Sequence, residues 1–304
     1  MKNKVIVILG PTATHKSEIA INLARKFPLE IISADSMQFY KGMDIGTDKV
    51  SREIRKEIPH HLVDIVSIED EFSIAEFKKL SMEKIKEISN RGHFPLVVGG
   101  SGLYIRALTE NFPVETLAPP NKKLREELSK MPVNEIRKLA NKINPAQAAK
   151  IGENDRKRLI RVIEYFNVTQ KRISEVPVKE VFFNFLKIGL TKERHTLYKS
   201  IDLRVERMFE EGLISEVEAL RKNYSNWSKT ALQAIGYKEA LPYFEGRISL
   251  EEAKELIKRR TRQFAKRQIT WFKKEKNVVW FNAEDLEKVK LEIEILVKGF
   301  LNED

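Results

Sequence analysis

Near the N-terminus five apolar residues, Val5, Ile6, Val7, Ile8 and Leu9, lead directly into Gly10, Pro11, Thr12, Ala13, Thr14, His15, Lys16 and Ser17. A helical pattern over residues 16–26 follows at once. A continuous β-branched run of that length reads as a buried parallel strand. A strand, a glycine-led loop ending in Lys-Ser, and a helix together are the context that makes a phosphate-binding P-loop. Backbone N–H groups at the helix start, aided by the helix dipole, take phosphate oxygens. Lys16 adds a positive charge, and the Ser17 hydroxyl is placed to hold Mg²⁺. Where the pattern has glycine this chain has His15, whose side chain is expected to crowd the phosphates. A left-handed backbone there would cost a non-glycine residue about 1–2 kcal/mol. The loop by itself does not choose among nucleotide kinases, NTPases and other transferases.

Residues 30–34 and 95–98 repeat the apolar strand character, with a helix expected over 74–91 behind a capping box of Ser73 and Glu76. Such alternation predicts an α/β fold, a P-loop-type parallel sheet flanked by helices. Pro113, Pro119 and Pro120 break the pattern, and from there to about Pro177 the chain reads as short helices without a clear strand. Residues 185–190 look like a strand returning to the sheet. The expected division is therefore an α/β P-loop core of residues 1–118 and 184–304, with an all-helical insertion at 119–183. Further helices are expected at about 194–211, 214–222 and 249–276, the last behind a second capping box of Ser249 and Glu252, with a short final strand at 278–281.

Charge separates these regions. Residues 1–118 and 184–253 are each neutral, whereas 119–183 carry a surplus of seven positive charges and 254–276 a surplus of eight. Two basic zones on an otherwise neutral protein suggest a polyanion, against the plainer reading of lysine-rich solvated helices. The chain has no cysteine, which excludes disulfides and thiolate metal sites and favours a reducing cytoplasm. No apolar run approaches the roughly 18 residues of a membrane span, and the N-terminal apolar run is short for a signal peptide.

Asp35, Ser36, Met37 and Gln38 follow the second strand, and Gly99, Gly100, Ser101 and Gly102 follow the third. The carboxyl ends of parallel strands face the crevice where α/β ligands bind. An aspartate there can accept a proton or coordinate Mg²⁺, and the glycines permit close approach of backbone. His60 and His61 lack metal-site spacing and are read as structural, as are Trp227, Trp271 and Trp280.

These residues, with 10–17, 35–40, 44–47, 58–64, 95–104, 154–161, 212–214, 234–239 and 261–272, closely resemble the bacterial tRNA dimethylallyltransferase (tRNA isopentenyltransferase) family. The likeness runs in the family's order over nearly the whole chain. The string at 261–272 is the most specific, since no general physical pattern would produce it. Departures are His15 for glycine and Ser101 for the commoner threonine.

The resemblance implies transfer of a dimethylallyl group from dimethylallyl diphosphate to N6 of the adenosine 3′ of the anticodon. Residues 10–17, with Lys16, Arg204 and Mg²⁺ on Ser17, would hold the diphosphate. Asp35 would take the N6 proton and Ser101 would position the base. Asp35, Ser36, Met37, Gln38 and Ser101 would meet the RNA near that base, and Arg125, Lys157, Arg158, Leu159, Ile160 and Arg161 would hold the anticodon stem-loop. The expected partners are tRNA and the prenyl donor, with no membrane, for a cytoplasmic monomer. Two other readings stay open: a P-loop enzyme acting on small molecules, and a non-catalytic RNA-binding NTP switch.

Overall fold

The computed structural model describes residues 3–111, 121–172 and 182–303. Pro113, Pro119, Pro120 and Pro177, expected to punctuate the insertion, lie outside them. The chain divides into two compact units, one of Met1–Thr109 with Val181–Asp304 and one of Glu110–Glu180.

In the first unit the strands are β1 (Asn3–Leu9), β2 (Leu29–Ser33), β3 (His60–His61), β4 (Phe94–Gly99), β5 (Phe183–Thr191) and β6 (Val278–Asn282). They form one parallel sheet in the order β3-β2-β4-β1-β5-β6. The helices of this unit are α1 (Lys16–Lys26), α2 (Arg52–Glu57), α3 (Ile74–Asn90) and α4 (Gly102–Thr109) before the second unit. After four helices of that unit, α5 (Lys122–Lys130), α6 (Val133–Ile143), α7 (Pro145–Ala148) and α8 (Arg156–Thr169), come α9 (Arg194–Glu210), α10 (Leu213–Asn223), α11 (Tyr237–Phe244), α12 (Leu250–Phe272) and α13 (Leu286–Asn302).

The two-residue period of β1 divides the core. Val5, Val7 and Leu9 pack with Phe77, Ile85 and Ile88 of α3 and Ile105 of α4. Ile6 and Ile8 pack on the other face with Ile19 and Leu23 of α1 and Val289, Ile293 and Val297 of α13. Residues 5–9 are 0 % exposed, as a strand covered on both faces requires. The expected α/β sheet is therefore present. Both capping boxes form, Ser73 with Glu76 and Ser249 with Glu252. The helix expected to run to residue 276 ends at Phe272. Helix α13 and the short strand β3 were not anticipated.

The second unit contains α5 (Lys122–Lys130), α6 (Val133–Ile143), α7 (Pro145–Ala148) and α8 (Arg156–Thr169). They close on a core of their own, with Leu128, Ile136, Ala140, Leu159, Ile160 and Ile163 at its centre.

Candidate active site

Because the sheet is parallel, the carboxyl ends of β1, β2, β4 and β5 open on one edge, where ligands of such sheets bind. Gly10 follows β1 at φ 150°, and a Cβ there would lie 2.4 Å from the Leu190 carbonyl oxygen. Only glycine lets the loop leave the sheet so close to β5. Ala13 and His15 both take left-handed backbone, at φ 62° and 60°. Thr14 Oγ1 and Lys16 Nζ each donate to the Pro11 carbonyl, at 2.8 and 2.7 Å. No side chain caps the start of α1, so its first amides are left for an anion.

His15 departs from the expected crowding. Its ring Nε2 accepts from Lys192 Nζ at 3.0 Å, and its Nδ1–H donates to Glu18 Oε2 at 3.0 Å. The left-handed backbone turns the ring to the outside of the loop, and His15 is not among the residues that line the cavity. The cost of the backbone is real; the obstruction is absent.

That cavity has a volume of about 360 Å³. Thr12, Lys16, Ser17 and Arg204 form its cationic end, and Val205, Met208, Ile235 and Phe264 give it apolar walls. Asp35, Ser36, Met37 and Gln38 also line it, with Gly99 and Gly100. Burial pushes the Lys16 ammonium down to about 8, helped by Arg204 and opposed by Asp35 and Asp48. Arg204 Nη1 donates to Thr12 Oγ1 at 2.8 Å and lies 3.2 Å from Asp48 Oδ2. Arg204, 192 residues from Thr12 in sequence, is thus delivered to the loop by α9.

Asp35 Oδ1 accepts the Met37 amide at 3.0 Å, which fixes the carboxylate at the head of the turn after β2. Gln38 is held at both ends: Ser33 Oγ donates to its Oε1 at 2.9 Å and its Nε2 donates to the Thr47 carbonyl at 3.2 Å. The loop carrying Thr47 is itself fixed by Glu216, which accepts the amides of Asp44, Ile45 and Gly46 and the Tyr237 hydroxyl. Ser101 adjoins the Gly99–Gly100 wall, and its Oγ accepts the Ser36 amide at 3.4 Å. Asp48, Gln268 and Phe264 belong to the same cavity. Phe264 and Gln268 fell within the string at 261–272 that had no physical explanation, while nothing local marked Asp48.

In the second unit Arg125 grips Glu164 through two bonds, at 2.7 and 2.8 Å, and Arg161 reaches the same carboxylate. Glu164 is 0 % exposed. Burial alone would raise its carboxyl, yet Arg125, Arg161 and the Asn121 amide hold it below the usual range. Arg125 and Arg161 are therefore already engaged as anchors of the bundle. Leu159 and Ile160, expected to face RNA, are instead core residues, because they lie on the apolar side of α8. Lys157 and Arg158 of the expected set are exposed.

Residues 38–275 match the IPP transferase family, more than half of the chain. This chain belongs to that family. The match begins after the phosphate loop, but full-length relatives extend the likeness through it. The tRNA dimethylallyltransferase of Pelotomaculum thermopropionicum is 42 % identical, over 99 % of this chain and 98 % of its own. That of Carboxydothermus hydrogenoformans is 44 % identical, over 99 % and 100 %. Among solved structures, the full-length tRNA isopentenylpyrophosphate transferase of Bacillus halodurans is 40 % identical with a TM-score of 0.74, covering 99 % of this chain and 97 % of its own. A eukaryotic dimethylallyltransferase acting on tRNA is 31 % identical with a TM-score of 0.85, over 99 % and 80 %. Among the described residues no helix is long and apolar enough to cross a membrane.

Proposed function

We propose that this IPP transferase family member moves the dimethylallyl group of dimethylallyl diphosphate to N6 of the adenosine 3′ of the anticodon in tRNA. The observation that carries the reading is that one cavity combines phosphate-holding groups, apolar walls and a carboxylate. A nucleoside triphosphate would use the first; an allylic diphosphate accepting a nucleophile uses all three.

The helix α1 amides, Lys16 and Arg204 neutralise the diphosphate, so the C1–O electron pair departs onto an oxygen already compensated. The allyl group lies against Val205, Met208 and Phe264. N6 forms the new bond to C1 and gives its proton to Asp35, while Gln38 and Ser101 position the base and its neighbour. The base is turned out of its stack, which costs less from a loop than from a duplex. Lys157 and Arg158 hold RNA phosphates. With all these groups on one chain, the enzyme acts as a monomer.

Mg²⁺ fits the donor set: the Ser17 hydroxyl lines the cavity with the Asp35 and Asp48 carboxylates, all hard oxygen donors. Among the described residues no cluster of three or more His, Cys, Asp or Glu makes a protein-only cage. Ser17 would therefore hold the ion together with the donor's phosphates, where it would supply further charge compensation.

Asp35→Ala is expected to slow pyrophosphate release by roughly 10²–10⁴-fold with tRNA and donor saturating. A rate near that of the wild type would remove Asp35 as the proton acceptor.

A further inference from the structure

The string at 261–272 stood out in the sequence without a physical reason, and Gln268 supplies one. It sits on the 23-residue helix α12 and is 6 % exposed. Its Oε1 accepts the Thr12 N–H at 2.9 Å, and its Nε2 donates to the Gly100 carbonyl at 2.9 Å. Only one orientation of the amide satisfies both partners, since one is a donor and the other an acceptor. Thr12 belongs to the phosphate loop and receives Arg204 on its hydroxyl. Gly100 begins the loop of Ser101, which in turn meets Ser36 beside Asp35. A single buried side chain therefore joins the donor side of the cavity to the acceptor side.

The neighbourhood is shaped around this bridge. A Cβ on Gly100 would lie 2.3 Å from Gln268 Nε2. One turn further along α12, Trp271 packs so closely that a Cβ on Gly102 would lie 2.1 Å from its ring. Ala265, on the same helix, packs against Leu197 and Ile201 of α9, the helix that carries Arg204. One rigid element thus sets the phosphate loop, the Gly100 loop and the arginine helix.

We propose that Gln268 is a positioning residue for prenyl transfer, holding the diphosphate cradle and the base-binding loop at the separation the reaction needs. This rests on the transfer reading above. Each loop keeps its own ligand groups without the bridge: Lys16, Ser17 and Arg204 on one side, Asp35 and Ser101 on the other. What the bridge adds is their mutual geometry, and a misplacement of about 1 Å between reacting groups can cost 10²-fold in rate. The effect should therefore appear in kcat and leave each separate affinity nearly intact.

The test compares wild type with Gln268→Met, which keeps length and volume but removes both bonds, and with Gly100→Ala, which leaves the glutamine and displaces its amide. Single-turnover transfer to unmodified tRNA gives the rate. Titration with inorganic pyrophosphate and with tRNA alone gives the affinities, and thermal unfolding confirms the fold. Both variants are expected to lose roughly 10–100-fold in rate with each dissociation constant changed by less than about threefold. Gln268→Glu, which can bridge as Gln does only when protonated, should regain rate as pH falls, unlike Gln268→Met. An unchanged rate in Gln268→Met, or losses of pyrophosphate affinity as large as the losses of rate, would overturn the proposal. If wild type itself transfers no prenyl group, the function reading fails; if wild type transfers and Gln268→Met equals it, only the bridge fails.

Discussion

On α12 three cations face acids brought by a neighbouring helix: Lys258 lies 2.6 Å and Lys254 3.0 Å from Glu206, and Arg262 pairs with Asp202. On α8 the cations divide. Arg161 joins Arg125 on buried Glu164, whereas Lys157 and Arg158 stay exposed. Counted along the sequence the stretches that contain them, 254–276 and 119–183, look alike, with surpluses of eight and seven. In the fold, α9 supplies Glu206 and Asp202 to Lys254, Lys258 and Arg262 of α12, while Arg259, Arg260, Lys266 and Arg267 of α12 stay exposed. Only the cations that the fold leaves exposed and outside such pairs are available to a polyanion. Among the exposed cations of α12, Arg267 lines the cavity and lies close to the Phe264 ring.

The comparison breaks most sharply at Glu164. Glu164→Ala frees two arginines and the Asn121 amide from a buried acceptor, and is expected to destabilise the helical unit by about 1–3 kcal/mol. Chemical unfolding monitored on that unit measures it, with Glu206→Ala on the exposed α9–α12 pairs expected to cost below about 1 kcal/mol. Equal losses would mean that burial does not distinguish the two zones.

Next in size is the response to salt. Replacing Lys157 and Arg158 together with alanine should weaken tRNA binding by roughly tenfold and lower the slope of log affinity against log salt by about 1–2. Replacing Lys254 and Arg262 should leave the slope nearly unchanged, because their partners already neutralise them. A larger effect from the second pair would reverse the assignment.

The phosphate end gives a pH signature that α8 lacks. With Lys16 near 8 in the unliganded protein, diphosphate binding above that pH must take up a proton. Pyrophosphate affinity is therefore expected to fall several-fold between pH 7 and about 9, measured by calorimetry in two buffers of different ionisation heat. Stability of the unliganded fold runs the other way. The lysine of the unfolded chain stays protonated up to its ordinary value of 10.5, so across that window unfolding binds protons and stability contributed by this group rises with pH.

The smallest expected effect is at His15. His15→Gly relieves the left-handed backbone but removes the contacts to Glu18 and Lys192, so stability should move by less than about 0.5 kcal/mol. Donor affinity should change little, because the ring lies outside the cavity.

Much of the fold was legible because it is local. The β1 run, the loop, and the capping boxes of α3 and α12 are each written within a few residues. The edge strand β3 is two residues long, too short for any period to show. Helix α13 did carry a signal, Val289, Ile293 and Val297 at four-residue spacing after Asp285, which capped it. For the site, Lys16 and Asp35 could be placed from their strands. At His15 the φ decides where the ring points, and at Leu159 and Ile160 the face that meets the core decides their burial, neither of which is written locally. Asp48 and Gln268 reach the cavity only through tertiary contact, Gln268 from 256 residues away.

The most direct measurement of the central claim is label transfer by the purified protein. Labelled dimethylallyl diphosphate or labelled ATP is supplied with either unmodified tRNA or free AMP. The account expects label from the prenyl donor on tRNA and none on AMP; label moving only from ATP would contradict it.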